Sequence, residues 1–409
     1  MNWTSVAQSF SPEQQEQVVQ AVAQQLDALP LPVKRDRRRL EAETRNALSM
    51  TLSRLGIPAD STLQAALTQQ IVALVGGLGF FNRLLPSQDH DPGLSEIALN
   101  PDGSLWVLRK GAESFERLDF SPSLDEVWRA VESLLAPLGR SISESTPSVD
   151  ARLPRMQGMG GARVKVIHPI LAPGSGYPSI NIRLFEPLPV RPEKLVEWEM
   201  APPAVIQSLL AHVARRLRVL IIGGTSSGKT TLLSALCSGI PKGARLVKIE
   251  DPEEIWLDHP HVITLEARPA MPGSTVPPYT VKDGVDDALR MSPKWLIVGE
   301  VRRGEVAMAL FRAQMSDHPG LCTFHAEGPL EAVERLANIV ETDLGVPGGA
   351  TRANFGLAVD LVVQVGFVQG RRRIIGAWEV QRRSGGEFTF GALYEDGQPE
   401  MRDASIQRR

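Results

Sequence analysis

Four consecutive apolar residues, Val219, Leu220, Ile221 and Ile222, run into Gly223-Gly224-Thr225-Ser226-Ser227-Gly228-Lys229-Thr230, and a segment rich in leucine follows from Thr231. A short, wholly apolar run bounded by glycine reads as a strand buried on both faces. The spacing beyond the glycines predicts a helix over 230–238, stopped by Gly239 and Pro241. A further strand pattern at 246–249 makes strands and helices alternate, which restricts this half of the chain to helices covering a mostly parallel sheet.

The residues between strand and helix fit G-x-x-x-x-G-K-[ST]. In that pattern glycines let the backbone approach closely, so its N–H groups and the helix N-terminus cradle phosphates. The lysine neutralises β/γ charge and the last hydroxyl reaches Mg²⁺. The expected ligands are ATP and Mg²⁺. No Asn-Lys-x-Asp segment selects guanine and no Leu-Ser-Gly-Gly-Gln segment marks a transport cassette.

Downstream, Trp295-Leu296-Ile297-Val298 is a second apolar run and ends in Gly299-Glu300. An acid there is seldom left unpartnered, and beside a phosphate loop its natural partner is hydrated Mg²⁺ or an attacking water. Glu250-Asp251-Pro252-Glu253-Glu254 follows the strand at 246–249, and a carboxylate at a strand's carboxyl end can point into a ligand crevice. His318 and His325 bracket 320–324, and both can hydrogen-bond a γ-phosphate. Cys322 lies between them without the further ligands that a zinc site needs.

Three prolines, Pro187, Pro189 and Pro192, interrupt regular structure ahead of this half. The expected organisation is a helical region at 1–85, a mixed α/β domain at 86–187, a linker at 188–200 and the nucleotide-binding domain at 201–409. Val18, Val22 and Leu26, and later Leu48, Leu52 and Leu55, have helical spacing. Short β patterns stand at 96–99, 105–108, 164–168 and 179–184, with a helical pattern over 124–138. The basic run at 34–39 (KRDRRR) is read as the solvated start of a helix.

Composition narrows the partners. With 43% hydrophobic and 22% charged residues most of the chain should fold, and a formal net charge of −3 gives no overall positive field for nucleic acid. Cys237 and Cys322, the two cysteines, cannot build a disulfide framework. Residues 1–11 lack a basic start followed by an apolar run, and the most apolar stretch, 71–81, falls short of the roughly 20 residues a spanning helix needs. A cytoplasmic protein with at most peripheral membrane contact is expected.

Taken together, GGTSSGKTT, KIEDPEE, LIVGEVRRGE and HPGLCTFHA resemble, in order and spacing, the secretion and pilus ATPase superfamily of type II and type IV secretion and type IV pili. Upstream, LSEIALNPDGSLWV, APLGRSISESTPSVDARLP and INIRLF look like the N-terminal domain of its CpaF-like (Tad pilus) branch, related to conjugation ATPases. The resemblance spans about 71–393 and implies an α/β fold: a RecA-like P-loop ATPase domain with a mostly parallel sheet, a smaller mixed α/β N-terminal domain and an N-terminal helical region. It implies Glu250 as general base, Asp251 and Glu253 as supporting acids that organise the metal, and Glu300 as the Walker B glutamate beside Thr230 and Mg²⁺. His318 and His325 match the family's histidine box, and Arg152, Arg183 and Arg268 match arginines that reach the nucleotide. Asp317 stands where glycine is usual, Pro319 follows the first histidine, and Ser292-Pro293-Lys294 stands where Arg-Pro-Asp is common. The implied protein is a homohexamer that pushes an inner-membrane platform protein of a pilus or secretion machine. A nucleic-acid translocase on the same core and an ATP-binding assembly subunit without turnover are the alternatives.

Overall fold

The computed structural model describes residues 12–406 except 27, 59, 77–78, 87–90, 157, 271–274 and 384–386; residues 1–11, read above as lacking a targeting signal, lie outside the described residues. The chain divides into two compact units, Met1–Pro187 and Leu188–Arg409.

The first unit opens with α1 (Pro12–Leu26), α2 (Leu31–Arg35), α3 (Arg37–Leu55) and α4 (Ser61–Val75). Val18, Val22, Leu26, Leu48 and Leu52 share one apolar core with Leu40, Leu67 and Ile71. Leu55 is instead 53% exposed, because it is the last residue of α3 before Gly56 turns the chain at φ 66°. The basic run is split between two helices rather than being one solvated helix start: Lys34 and Arg35 end α2, with Lys34 buried, and Asp36 accepts the N–H groups of Arg38 (3.1 Å) and Arg39 (3.2 Å), capping α3. No helix among the described residues is long and apolar enough to cross a membrane.

An antiparallel sheet follows, built from β1 (Leu94–Leu99), β2 (Leu105–Arg109), β3 (Glu116–Arg117), then, after α5 (Leu124–Leu135), β4 (Ser148–Leu153), β5 (Ala162–Ile167) and β6 (Ser179–Leu184), in the order β3-β2-β1-β6-β5-β4. Ala162, Val164 and Val166 alternate inward along β5 and pack with Val127, Val131 and Leu134 of α5. A reciprocal cap between Ser123 and Glu126 starts α5.

The second unit contains α6 (Pro192–Glu197), α7 (Pro203–Ala214), β7 (Val219–Ile222), α8 (Lys229–Leu236), β8 (Leu246–Glu250), β9 (Val262–Glu266), α9 (Val281–Ala288), β10 (Trp295–Val298), α10 (Gly304–Met315), β11 (Gly320–Phe324), α11 (Pro329–Leu344), α12 (Gly348–Ala358), β12 (Leu361–Val368), β13 (Arg371–Arg382) and β14 (Phe388–Glu395). The sheet order is β14-β13-β12-β7-β11-β10-β8-β9. Strands β12, β7, β11, β10, β8 and β9 are parallel, and β13 and β14 extend the sheet antiparallel. Every residue of β7, β10 and β11 is buried, as a strand covered on both faces requires.

Proline acts differently at 188–200 from the expectation. Pro192 occupies the first turn of α6, where its missing N–H removes no helical bond, and Leu195 and Met200 join the core with Val205 and Leu209. Two polar clusters tie the unit together. Asp360, fully buried, accepts from the backbone N–H (3.0 Å), Nε (3.0 Å) and Nη2 (2.9 Å) of Arg218, which binds the starts of β7 and β12 to each other. Near the carboxyl end, His212 of α7 donates from Nδ1 to the Ser208 carbonyl (2.5 Å) and accepts the Ala404 N–H at Nε2 (3.0 Å). Glu379 of β13 accepts from Ser405 Oγ (2.8 Å) and the Ile406 N–H (2.7 Å).

Candidate nucleotide site

The turn between β7 and α8 is shaped by three residues at positive φ: Gly223 (155°), Ser226 (59°) and Gly228 (99°). Glycine is required at 223 by space as well as by angle, since a Cβ there would stand 2.2 Å from the Val365 carbonyl oxygen and 2.7 Å from Ser227 Oγ. Ser227 is buried and its hydroxyl donates to the Gly224 carbonyl (2.8 Å), closing the loop on itself. Gly228 caps α8, so Lys229, Thr230 and Thr231 form the first helical turn. The Lys229 ammonium folds back on the loop, donating to the carbonyls of Gly223 (2.9 Å) and Gly224 (2.6 Å). These bonds hold the Lys229 cation inside the loop.

Strand register fixes what stands around this loop. Ile222 pairs with Phe324 on one side and Gln364 on the other, so His325 and Val365 flank Gly223. Val298 pairs with Cys322 and with Ile249, which brings Gly299-Glu300 and Glu250 to the same edge of the sheet. At a strand spacing of about 4.8 Å, β10 lies about 10 Å from β7 and β8 about 14 Å. The carboxyl ends of parallel strands thus gather Lys229, Thr230, Glu300, Glu250 and His325, the position at which open α/β sheets take ligands.

Glu250 is the last residue of β8 and only 3% exposed. Lys248, two residues earlier on the same face and 2% exposed, sits 3.0 Å from Glu250 Oε2 and 2.9 Å from Glu253 Oε1, and also donates to the Ile255 carbonyl. The N–H groups of Glu254 (3.2 Å) and Ile255 (3.1 Å) complete the cradle. Burial pushes the Glu250 carboxyl above its ordinary range, against the pull of Lys248 and these N–H groups. A carboxylate so placed is held in one orientation and is a better proton acceptor than an exposed one. Gly299 makes room for it, because a Cβ there would lie 2.9 Å from Glu250 Cγ.

Several expected residues are placed differently. His318 precedes β11, and its Nδ1 pairs with the Ala313 carbonyl at 3.2 Å. Asp317 beside it, at φ 62°, is held by Arg216, whose Nη2 donates to the Asp317 carbonyl (3.0 Å). Arg216 lies ahead of β7, so His318 belongs to the amino edge of the sheet, and at about 3.3 Å per residue the length of β11 alone puts about 17 Å between it and His325. The two histidines therefore do not form one box around the loop, because a whole strand runs between them.

Glu253 is engaged by Lys248 and Glu300 by Arg302, whose Nε donates to Glu300 Oε2 at 2.6 Å, while Asp251 is exposed. Thr230, Glu300, Asp251 and Glu253 are thus not gathered into one coordination sphere, and among the described residues no group of three His, Cys, Asp or Glu is placed to hold a metal. Mg²⁺ would still be compatible with this donor chemistry, since it keeps several waters and takes phosphate oxygens, and the Thr230 hydroxyl could serve as its one protein ligand. Arg268 follows the edge strand β9, exposed, with Nη2 donating to the Pro277 carbonyl (3.0 Å). Four strand spacings, about 19 Å, separate β9 from β7. Arg152 and Arg183 belong to the first unit, where they stand in register with Arg163 across β4, β5 and β6, and Arg183 Nε lies 3.9 Å from Glu96.

Three residues at the site had no role in the sequence reading. Lys248 stands inside KIEDPEE, and its period-two relation to Glu250 was the available signal. Gly299 precedes the strand-end acid. Arg372 of β13 donates from Nε to the Ser226 carbonyl at 2.9 Å, and no pattern near residue 372 announces that contact.

Comparison with known proteins bears on the family and the fold. The sequence profile of the family described as "Type II/IV secretion system protein" matches residues 90–364. A putative conjugal transfer protein of Mycobacterium tuberculosis is 30% identical over 315 residues, 76% of this chain and 86% of that protein. The probable conjugal transfer protein TrbB of Sinorhizobium fredii is 27% identical over 302 residues, 73% and 86% of the respective chains. Among solved structures, the ATPase DotB of Legionella pneumophila aligns with a TM-score of 0.52 at 22% identity, covering 70% of this chain and 77% of that one, a likeness of fold.

Proposed function

The chain belongs to the type II/IV secretion system ATPase family, which hydrolyses ATP, and we propose that it is a homohexameric motor that turns ATP hydrolysis into movement of a protein partner. The observation that carries this reading is the gathering of Lys229, Thr230, Glu250, Glu300 and His325 on one edge of the parallel sheet.

In this reading the second unit is a RecA-like ATPase domain. The loop N–H groups and Lys229 hold the β- and γ-phosphates, and Thr230 holds Mg²⁺, which supplies charge neutralisation when bound. Glu250 accepts the proton of the attacking water, Glu300 orients water, and His325 hydrogen-bonds the γ-phosphate. Arg152, Arg183 and Arg268 supply further positive charge to the nucleotide in the assembled ring. Closure on ATP and reopening after hydrolysis push an inner-membrane platform protein from its cytoplasmic face, assembling a pilus of the Tad (CpaF-like) kind or exporting protein. The conjugal-transfer names of the relatives favour a second reading, in which the same motor serves a conjugation machine.

ATPase activity measured across size-exclusion fractions tests the motor. Activity concentrated in a hexameric peak, and lost in Lys229→Ala together with nucleotide binding, is the expected result. Equal specific activity in monomeric fractions would sink the ring, and full turnover in Lys229→Ala would sink the site.

A further inference from the structure

The phosphate loop does not stand alone at the end of β7; the hairpin of β12 and β13 is built against it. Val365 of β12 puts its carbonyl oxygen 2.2 Å from where a Gly223 Cβ would be, so strand and loop touch backbone to backbone. From β13, the Arg372 side chain reaches the crest of the loop, with Nε donating to the Ser226 carbonyl (2.9 Å) and Cδ 3.5 Å from the place of a Gly228 Cβ. The same guanidinium lies 5.7 Å from the ring centroid of Phe367, on the other arm of the hairpin.

Ser226 is the one non-glycine residue of the loop at positive φ, a conformation that costs an L-residue free energy and persists only when its surroundings impose it. Arg372 fastens the carbonyl of that residue. Lys229 meanwhile spends its hydrogen bonds on the Gly223 and Gly224 carbonyls. When Lys229 leaves them for a phosphate, the loop loses two of its internal ties, and the bond from Arg372 to Ser226 remains. We propose that Arg372 is a positioning residue for the nucleotide: it holds the crest of the phosphate loop so that the N–H cradle keeps its shape while Lys229 exchanges loop carbonyls for phosphate. Because it acts on the loop and not on the γ-phosphate, it serves ATP and ADP alike. The inference rests on the reading of 223–230 as the nucleotide loop.

The test compares wild-type protein with Arg372→Gln, Arg372→Lys and Lys229→Ala by titration with ATP and ADP, by kcat and KM, and by the unfolding midpoint without nucleotide. A hydrogen bond from a charged donor predicts that Arg372→Gln weakens ATP and ADP to the same extent, by roughly tenfold to a hundredfold. KM should rise with it, kcat at saturation should change less than about threefold, and the nucleotide-free midpoint should hold, with Arg372→Lys recovering most of the affinity. Wild-type affinity in Arg372→Gln while Lys229→Ala loses binding would overturn the role of Arg372 and leave the site intact. A loss confined to ATP would also overturn it, as would a nucleotide-free midpoint lowered enough to account for the weaker binding. Normal binding in Lys229→Ala would instead remove the site reading itself.

Discussion

Lys248→Met separates the proposed base from its cation. The ammonium and the Glu250 carboxylate are 3.0 Å apart and almost wholly buried. At an effective dielectric constant of about 20 their attraction is about 5 kcal/mol before desolvation is counted, and removing one partner of a buried pair costs about 3–5 kcal/mol of stability. Burial already pushes the Glu250 carboxyl up, and Lys248 is the largest opposing influence. Without it the charged form is harder to reach, so the acid limb of kcat/KM must move to higher pH. Activity near pH 7 should fall by about tenfold or more and recover in part as pH rises, since about 1.4 kcal/mol is a factor of ten. The assay is the kcat/KM profile between about pH 5.5 and 9 with a denaturant midpoint for each variant. If Lys248→Met destabilises the fold too far, Lys248→Met with Glu250→Gln removes both charges and should regain stability without regaining turnover. An unmoved acid limb in a folded Lys248→Met variant would refute the reasoning.

Gly299→Ala places a methyl 2.9 Å from Glu250 Cγ, so turnover should drop by at least about tenfold while ATP still binds, checked by single-turnover hydrolysis against equilibrium titration. His325→Ala should lower kcat by at least about tenfold and His318→Ala by less than about threefold, because only His325 lies on the loop's edge of the sheet; equal losses in steady-state assays would contradict the placement. Burial holds the His212 imidazole below its ordinary 6.5, so the folded state disfavours its protonation. Its contribution is therefore complete above pH 6.5 and is lost as pH falls below it, and Gln at 212 should flatten that loss in denaturation midpoints measured from neutral to acid pH.

The parts of the site that sequence makes legible are those written in consecutive residues. An apolar run, a glycine turn and a helix at 219–238 are determined locally, and β7 and α8 follow the pattern to within a residue or two. Strand-end acids are legible for the same reason: Glu300 stands just past the apolar run 295–298 and Glu250 just past the strand pattern at 246–249. His318 and His325 are paired by the resemblance's histidine box, yet the fully buried strand they bracket sets them at its opposite ends. Arg372 was illegible because its contact with Ser226 joins residues far apart in the chain through the β12–β13 hairpin, and Lys248 because its period-two relation to Glu250 was the one sign of the pair and says nothing of burial.

The clasp on the last described residues determines where this unit can be cut. Met401 and Ala404 fill the core, and Ala404, Ser405 and Ile406 supply donors to His212 and Glu379, each of which is 1% exposed. A chain ended after β14 would keep every strand of the sheet and still strip Met401 and Ala404 from the core and the bonded donors from His212 and Glu379. The packed second unit therefore reaches at least to Ile406, a boundary drawn by core contacts and hydrogen bonds and invisible to any count of strands and helices.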